Sequence, residues 1–354
     1  MERRTRSGWK LWLLAAALAA VILVSFLLGR YPVPPGALCG ILLDRALRGL
    51  GSLVSHIFPG AADWGLTPYW TAHMETVAVN IRLPRILLAC LVGCSLSAAG
   101  ASYQGVFQNP MAAPDILGAT SGAAFGAALA ILLGASRRMI TLSAFVFAIL
   151  TVALVFLISK TASGKRVLTL VLSGIMVGSL FSAGTSYIKL VADPSNQLPE
   201  ITYWLMGSLS GATNKDVAFV CLPMAVGLVP LLLLRWRMNV LTLGDDEART
   251  IGVNAGRVRL LVILCATLVT AAAVSVSGMI GWVGLVIPHL SRKLVGNDYK
   301  QLLPATLLFG AAFLLVVDDV SRNLLATEIP IGILTAFIGA PFFIWLITRK
   351  GDAF

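Results

Sequence analysis

The sequence predicts an all-α membrane protein with about ten transmembrane helices and both termini in the cytoplasm. Hydrophobic residues make up 58% of the 354-residue chain and charged residues 12%, which is about half the charged share of a soluble domain. The mean hydropathy is +0.88, and apolar stretches of about 20 residues, the length that crosses a bilayer core, recur along the chain. We therefore expect residues 1–354 to form a single transmembrane domain.

Ten apolar stretches are the expected membrane spans. The eighth is short and contains Pro288. The first is expected to remain as a helix, because no small-x-small cleavage pattern follows Gly29. The stretches are 11–29, 86–104, 116–133, 140–158, 167–190, 217–234, 258–277, 280–294, 303–325 and 331–348.

The distribution of Lys and Arg predicts the orientation of these spans. If both termini are cytoplasmic, 17 of the 27 basic residues lie on the inner side, 9 on the outer side, and Arg322 within the ninth span. Cytoplasmic loops are typically rich in Lys and Arg. The bias places a charged loop, 235–259, in the cytoplasm and the segment 30–80 outside.

The outer segment 30–80 contains a helical pattern. Apolar residues recur at helical spacing from Leu38 to Ile57, with Asp44 and Arg48 on the opposite side. This pattern predicts a helix along the outer membrane surface. Its role is not evident from the residues.

Glycines at four-residue spacing occur in two of the spans. They are Gly118, Gly122 and Gly126 in one, and Gly174 and Gly178 in the other. Small residues let helices approach closely. We expect packing within one subunit rather than a dimer seam.

Several functional classes find no support in the residues. The net charge is +11, but the basic residues lie in short loops where membrane topology explains them, so nucleic-acid binding is not expected. The five cysteines and three histidines show no metal-binding spacing. The nearest match to a phosphate-binding loop, Gly164-Lys165-Arg166, lacks the first glycine and the hydroxyl residue. Any ATP that drives this protein must bind another subunit.

Charges within a span leave open an ion-coupled secondary transporter. Asp318, Asp319 and Arg322 are the clear charges inside a span, and such transporters use intramembrane carboxylates. Asp318 precedes Arg322 by four residues, so a local ion pair explains them equally well.

A second acidic cluster leaves open a membrane-embedded enzyme. Asp245, Asp246 and Glu247 follow Gly244, with no histidine close by in sequence. Acidic residues in this position are typical of the first turn of a helix, which is the simpler interpretation.

The segment Leu243-Gly-Asp-Asp-Glu-Ala-Arg-Thr-Ile-Gly252 is the compact polar element of an otherwise apolar chain. Gly244 and Gly252 bracket a short helix, and Ala248 and Ile251 are expected to form a small apolar contact face. A membrane protein without an energy-converting motif is expected to be driven by a partner that binds such an element.

Two arginines flank a proline at the outer end of the second span, in Ile81-Arg-Leu-Pro-Arg85. Their predicted outer position is contrary to the concentration of Lys and Arg on the inner side. Two roles would explain arginines at this position: their side chains could extend to the lipid headgroups, or they could dock an acidic protein surface.

Several motifs in consistent order resemble the iron-siderophore and vitamin B12 (FecCD-type) permease family of ABC importers. The resemblance runs from about Ile81 to the C-terminus. Besides the two segments above, it rests on Gln108-Asn-Pro-Met-Ala-Ala-Pro-Asp-Ile-Leu-Gly118, Gly281-Trp-Val-Gly-Leu-Val-Ile-Pro-His289, Glu328-Ile-Pro-Ile-Gly332 and Gly339-Ala-Pro341.

The resemblance implies a transport subunit without catalytic activity in the cytoplasmic membrane of a bacterium or archaeon. Its expected partners are a second, identical permease, two ABC ATPase subunits that bind ATP and Mg²⁺, and an extracytoplasmic substrate-binding protein. No cofactor or metal is expected on this chain. The implied substrate is an iron-siderophore or similar metal chelate such as haem or cobalamin, with an oxyanion less favoured.

The resemblance also implies roles for individual residues. Arg82, Arg85 and Arg322 match arginines that meet glutamates of the binding protein, although Asp319 beside Asp318 adds a competing acid. The family's ATPase-coupling helix matches Leu243, Gly244, Asp245, Asp246, Glu247, Ala248, Arg249, Ile251 and Gly252.

Overall fold

The computed structural model describes residues 8–57, 65–161 and 166–348, so both chain termini lie outside the described residues. Within these ranges the regular structure is entirely helical. The helices are α1 (Gly8–Leu27), α2 (Pro35–Ile57), α3 (Ala72–Thr76), α4 (Leu83–Val106), α5 (Ala119–Leu132), α6 (Arg137–Thr161), α7 (Arg166–Val191), α8 (Gln197–Met206), α9 (Asn214–Leu241), α10 (Asp245–Thr250), α11 (Ala255–Ser277), α12 (Val283–Val295), α13 (Tyr299–Asn323) and α14 (Ile331–Thr348).

Seven of the described helical stretches are long and apolar enough to cross a membrane. They are α1, the continuous stretch Ala72–Val106 that contains α3 and α4, and α6, α7, α9, α11 and α13. The other three predicted spans fall on shorter helices, namely α5 with 14 residues, α12 with 13 and α14 with 18. The prediction of an all-α multi-span protein is confirmed, whereas seven rather than ten helices meet the length and composition of a span.

A π-helical turn at Val77–Arg82 joins α3 to α4. Pro84, in the first turn of α4, has no amide hydrogen to donate to the preceding turn. A widened turn accommodates its ring without ending the helix. The second predicted span is therefore extended by a full helical segment, which holds Arg82 at the end of the bundle.

Helix α4 lies at the centre of the bundle and packs against α1, α9, α11, α12 and α13. Two glycine pairs set the closest crossings. A Cβ atom on Gly93 would lie 2.3 Å from the Gly310 carbonyl oxygen of α13, and one on Gly100 would lie 1.7 Å from that of Gly284 in α12. The two helices therefore contact α4 backbone to backbone.

The glycines singled out in the sequence lie at crossings within the chain. A Cβ on Gly122 would lie 1.9 Å from Thr151 Oγ1 of α6, and one on Gly126 would lie 2.6 Å from the Ser143 carbonyl oxygen. Gly118 has a φ of +75° and, with Gly174 and Gly178 of α7, forms the second contact, where a Cβ on Gly174 would lie 2.4 Å from the Ile116 carbonyl oxygen.

The helix expected in the segment 30–80 is α2. Its first half buries Leu38 and Ile41, in agreement with the apolar pattern, but Leu50 is 53% exposed. Asp44 was expected on the polar side and is instead buried, because Arg48 and the Leu66 backbone amide both donate to its carboxylate at 2.9 Å and 2.8 Å. Residues 58–64 lie outside the described residues.

The bundle has two ends that differ in chemistry. We call the end that holds Arg82, Arg85 and Arg322 the arginine end, and the end that holds α10 the α10 end. The predicted loop 235–259 is shorter than expected, since α9 continues to Leu241 and α11 begins at Ala255.

Candidate functional site: an arginine pocket and a helical contact element

The three arginines expected to dock a partner come together in one pocket at the arginine end. We call this cavity of about 220 Å³ the arginine pocket; its polar lining includes Arg30, Arg82, Arg85, Arg322 and Glu328. The residues come from four parts of the chain: the end of α1, the start of α4, the end of α13 and the loop before α14. The sequence motif alone placed only Arg82 and Arg85 together.

Arg85 is held between two carboxylates. Its Nη2 lies 2.9 Å from Asp318 Oδ1, and its Nη1 lies 2.8 Å from Glu328 Oε1. The Asp318 side chain is fully buried, while that of Glu328 is 28% exposed. The guanidinium is thus neutralised from inside the bundle and again at the pocket surface.

Arg322 and Arg82 bind the end of α1. Arg322 pairs with Asp319 and donates from Nη2 to the Ser25 carbonyl oxygen at 2.8 Å, and Ser25 Oγ donates to Asp319 Oδ1 at 2.8 Å. Arg82 donates to the carbonyl oxygens of Phe26 and Tyr31. Carbonyls at the end of a helix lack partners within the helix, so both arginines complete its hydrogen bonding.

All three arginines are therefore mostly buried and each has an acceptor within the chain; none is more than 8% exposed. The ion pair expected between Asp318 and Arg322 is a marginal one at 4.0 Å, because Asp318 faces Arg85 instead. Arg30 and Glu328 are the more exposed charges of the pocket.

Glu328 remains ionised in this setting. Burial alone would raise the pKa of Glu328, but the hydrogen bonds and charge of Arg85, with contributions from Ser210 and Arg30, hold that pKa below its ordinary value. Sequence reasoning missed Glu328 as a site residue. Glu328 begins the motif Glu328-Ile-Pro-Ile-Gly332, but nothing in that motif indicates that it pairs with Arg85.

The polar element at the other end folds as the short helix α10. Gly244 precedes it with a φ of +124°, and Gly252 follows it with a φ of +77°, so both bracketing glycines adopt backbone conformations that other residues rarely take. Asp246 and Arg249 lie on its exposed surface, 3.6 Å apart. The helix packs against α9 and α11.

The expected contact face of α10 requires a correction. Ala248 is completely buried, within the same core cluster as Leu241 and Val253, so it cannot contact a partner. Leu243 and Ile251 are 64% and 54% exposed. The short helix turns its single alanine towards α9 and α11, which leaves the bulky apolar side chains on its outer side.

Comparison with known proteins identifies the family. The sequence pattern of the FecCD transport family matches residues 17–349, nearly the whole chain. The chain belongs to the FecCD transport family. It is therefore the permease component of an ABC importer, and ATP is hydrolysed on a separate subunit.

The relatives of this permease differ in the substrates named for them. The molybdate import permease MolB of Haemophilus influenzae is 45% identical over 269 residues, covering 76% of this chain and 80% of its own length. A protein of Helicobacter pylori (strain 26695) named as an iron chelatin transport permease is 42% identical over 276 residues, covering 78% and 83%.

A solved structure has the same fold as this permease. It is described as an inward-facing metal-chelate-type ABC transporter, and it is 38% identical, with a TM-score of 0.81 over 95% of this chain and 98% of its own. The resemblance inferred from the motifs is confirmed by these comparisons. The alternatives of a secondary transporter and a membrane-embedded enzyme do not fit an ABC importer permease.

Proposed function

We propose that this permease carries a metal chelate, with an iron-siderophore as the first candidate, from the arginine end to the α10 end. The observation that supports this is the exposed face of α7. Ser179, Ser182 and Ser186 are exposed at a spacing of three and four residues, so they share one helix face, and Tyr187 beside them is 66% exposed. No residue of α7 between positions 168 and 187 is charged.

This face combines hydroxyls with apolar side chains, since Met176 and Leu180 of α7 are also exposed, at 65% and 69%. The exposed positions of α9 include Leu222 at 72% and Leu233 at 77%, which suits lipid. A row of serine hydroxyls is solvated better by water than by lipid, and polar side chains within membrane spans typically face a cavity. We infer that α7 lines the pathway together with a second permease, and that its uncharged face lets a chelate pass without binding it tightly.

The substrate is tested by uptake. Cells that express this permease with its ATPase and binding protein should accumulate radiolabelled iron supplied as ferric siderophores, and uptake should stop when ATP is depleted. Radiolabelled molybdate is the competing substrate, since a relative is named for it. Uptake of molybdate without uptake of any ferric chelate would exclude the chelate proposal.

We place the chain in the cytoplasmic membrane of a bacterium or archaeon, with the α10 end in the cytoplasm. Lys10, Arg235, Lys293 and Lys300 all lie at that end, where Lys10 Nζ donates to the Leu294 carbonyl oxygen and Arg235 Nη1 donates to that of Lys300. This clustering agrees with the enrichment of basic residues in cytoplasmic loops.

The arginine pocket is the proposed docking site of a substrate-binding protein. Arg30, Arg82, Arg85 and Arg322 face the carboxylates of Asp318, Asp319 and Glu328, so this cluster carries one excess positive charge. A glutamate of the binding protein would meet Arg85 where Glu328 meets it now. Glu328 therefore competes with the partner for the same guanidinium.

Replacement of Glu328 by glutamine is expected to strengthen the binding protein's affinity about five- to tenfold, because it removes a charge whose repulsion costs about 1–1.4 kcal/mol of binding free energy. Asp318 still neutralises Arg85 in this variant, so the fold should be retained. The measurement is the dissociation constant of the binding protein for the permease in nanodiscs, at low and high salt.

The matched control is Glu200→Gln, which removes the same charge from an exposed site of α8 that does not line the arginine pocket. An equal gain in affinity in both variants would mean that the change in net charge, and not the position of Glu328, causes the effect. Weaker binding of Glu328→Gln would mean that the binding protein does not use Arg85.

The outer side of α10 is the proposed contact with the ATPase. Leu243 and Ile251 provide the apolar part, and buried Ala248 ties the helix to α9 and α11, so that movement of α10 reaches the transmembrane bundle. A rigid element of this kind can bias the bundle between two arrangements when the ATPase closes.

Replacement of Ile251 by glutamate is expected to weaken ATPase association about ten- to a hundredfold, because a contact that buries an isoleucine contributes about 1.5–3 kcal/mol. Ile251→Leu is the conservative control and should retain association. Co-purification and ATPase activity in proteoliposomes are the measurements. If the Ile251→Glu variant still associates fully with the ATPase, α10 is not part of the ATPase contact.

A further inference from the structure

A second cavity opens at the α10 end of the bundle. We call this cavity of about 540 Å³ the basic pocket; its lining includes Gln104, Gln108, Thr242, Arg292, Lys293 and Tyr299. Its walls are the last turn of α4, the last turns of α12 and the residue after α9. Among the described residues that line it, none is an aspartate or glutamate.

Arg292 is fixed in this pocket by a neutral group. Its Nη1 donates to Gln104 Oε1, and Gln104 is only 3% exposed. This bond orients the Gln104 amide, because its nitrogen cannot accept from a guanidinium. Among the described residues, no carboxylate forms an ion pair with Arg292. The guanidinium is therefore positioned but not neutralised.

Lys293 adds a second uncompensated cation next to Arg292. Its Nζ lies 4.7 Å from the centre of the Trp345 ring, a cation–π contact that restrains the ammonium without neutralising it. Two adjacent cations in a concave site attract an anionic group more strongly than the same charges on a flat surface.

The position of the pocket indicates which anion it meets. Its inner wall belongs to α4, the helix at the centre of the bundle, so the pocket opens at the bundle end rather than towards lipid. Thr242 in its lining is three residues before α10, the proposed ATPase contact. The volume exceeds that of one small ion and suits a side chain with part of its loop.

We propose that the basic pocket receives a carboxylate side chain of the ATPase subunit, which pairs with Arg292 and Lys293 and forms a second contact beside α10. This inference rests on the proposed orientation and on the ATPase contact at α10. The two contacts differ in chemistry, since one is apolar and the other ionic, so each can be removed separately.

Carbodiimide cross-linking of the assembled transporter tests the proposal, because it joins an amine to a carboxylate only when the two are in contact. We expect a cross-link between Lys293 and an aspartate or glutamate of the ATPase, located by mass spectrometry. Lys293→Arg keeps the charge but has no reactive amine, so it should lose the cross-link while the ATPase still co-purifies with the permease. Lys293→Glu should weaken ATPase association about tenfold at low salt, and high salt should reduce the difference.

Three outcomes would overturn the proposal. An intact transporter that gives no cross-link at Lys293 and tolerates Lys293→Glu has no carboxylate in this pocket. Stabilisation of the permease alone by millimolar sulfate, lost in Lys293→Glu while ATPase association is unchanged, would assign the pocket to a free anion. If no ATPase co-purifies with the unaltered permease, the result would instead contradict the proposed ATPase contact at α10, and this inference with it.

Discussion

Replacement of Arg85 by glutamine is expected to lower the free energy of unfolding by about 3–5 kcal/mol. Asp318 is completely buried and lies 2.9 Å from Arg85, whereas Arg322 is 4.0 Å away and engaged with Asp319. Without Arg85 the Asp318 carboxylate loses its main partner in an apolar bundle. Thermal unfolding in detergent, followed by loss of monodisperse protein, measures the change.

A double variant separates this structural role from docking. Arg85→Met with Asp318→Leu removes both buried charges and should restore most of the stability, because a buried ion pair is often replaceable by apolar residues of similar size. The affinity of this variant for the substrate-binding protein should nevertheless remain low, since Arg85 is absent from the pocket. Arg30→Gln, at the exposed rim, is the control and should cost less than about 1 kcal/mol. If Arg85→Gln were no less stable than Arg30→Gln, Asp318 would be neutral in the native protein.

The spans were predictable because their signal is local. An apolar stretch such as 140–158 or 258–277 requires a helix of that length in lipid wherever the rest of the chain lies. The shorter helices α5 and α12 were harder to delimit. Gly118, with its φ of +75°, delays the start of α5 until Ala119, and the strained turn at Trp282, with a φ of +69°, delays α12 until Val283.

The site was less predictable because its geometry depends on contacts between distant segments. The sequence shows Arg82 and Arg85 only as charges at the end of a span, but the contacts that bury them come from α1 and α13. Ala248 gives the complementary case. In a six-residue helix the sequence does not determine which side faces the bundle, and the prediction that Ala248 faces a partner is wrong.

Replacement of Gly100 by alanine is expected to destabilise the bundle by at least about 3 kcal/mol. The added Cβ would lie 1.7 Å from the Gly284 carbonyl oxygen, and neither a Cβ nor a backbone carbonyl of a helix can move away by a change of rotamer. To relieve the contact, α4 and α12 must separate, which opens the packing of the central helix against its neighbours. The expected result is a large loss of folded protein and a lower unfolding temperature in detergent.

The matched control lies in the same motif as Gly284. Gly281 has nothing within 4 Å of an added Cβ and no positive φ, so Gly281→Ala should change stability little. Gly284→Ala should resemble Gly100→Ala, because its Cβ would lie 2.3 Å from Pro114 Cγ and 2.7 Å from the Leu96 carbonyl oxygen. Equal tolerance at all three positions would mean that α4 and α12 do not cross at this distance. A loss confined to Gly100 and Gly284 would support a backbone-to-backbone crossing of α4 and α12 at these two glycines.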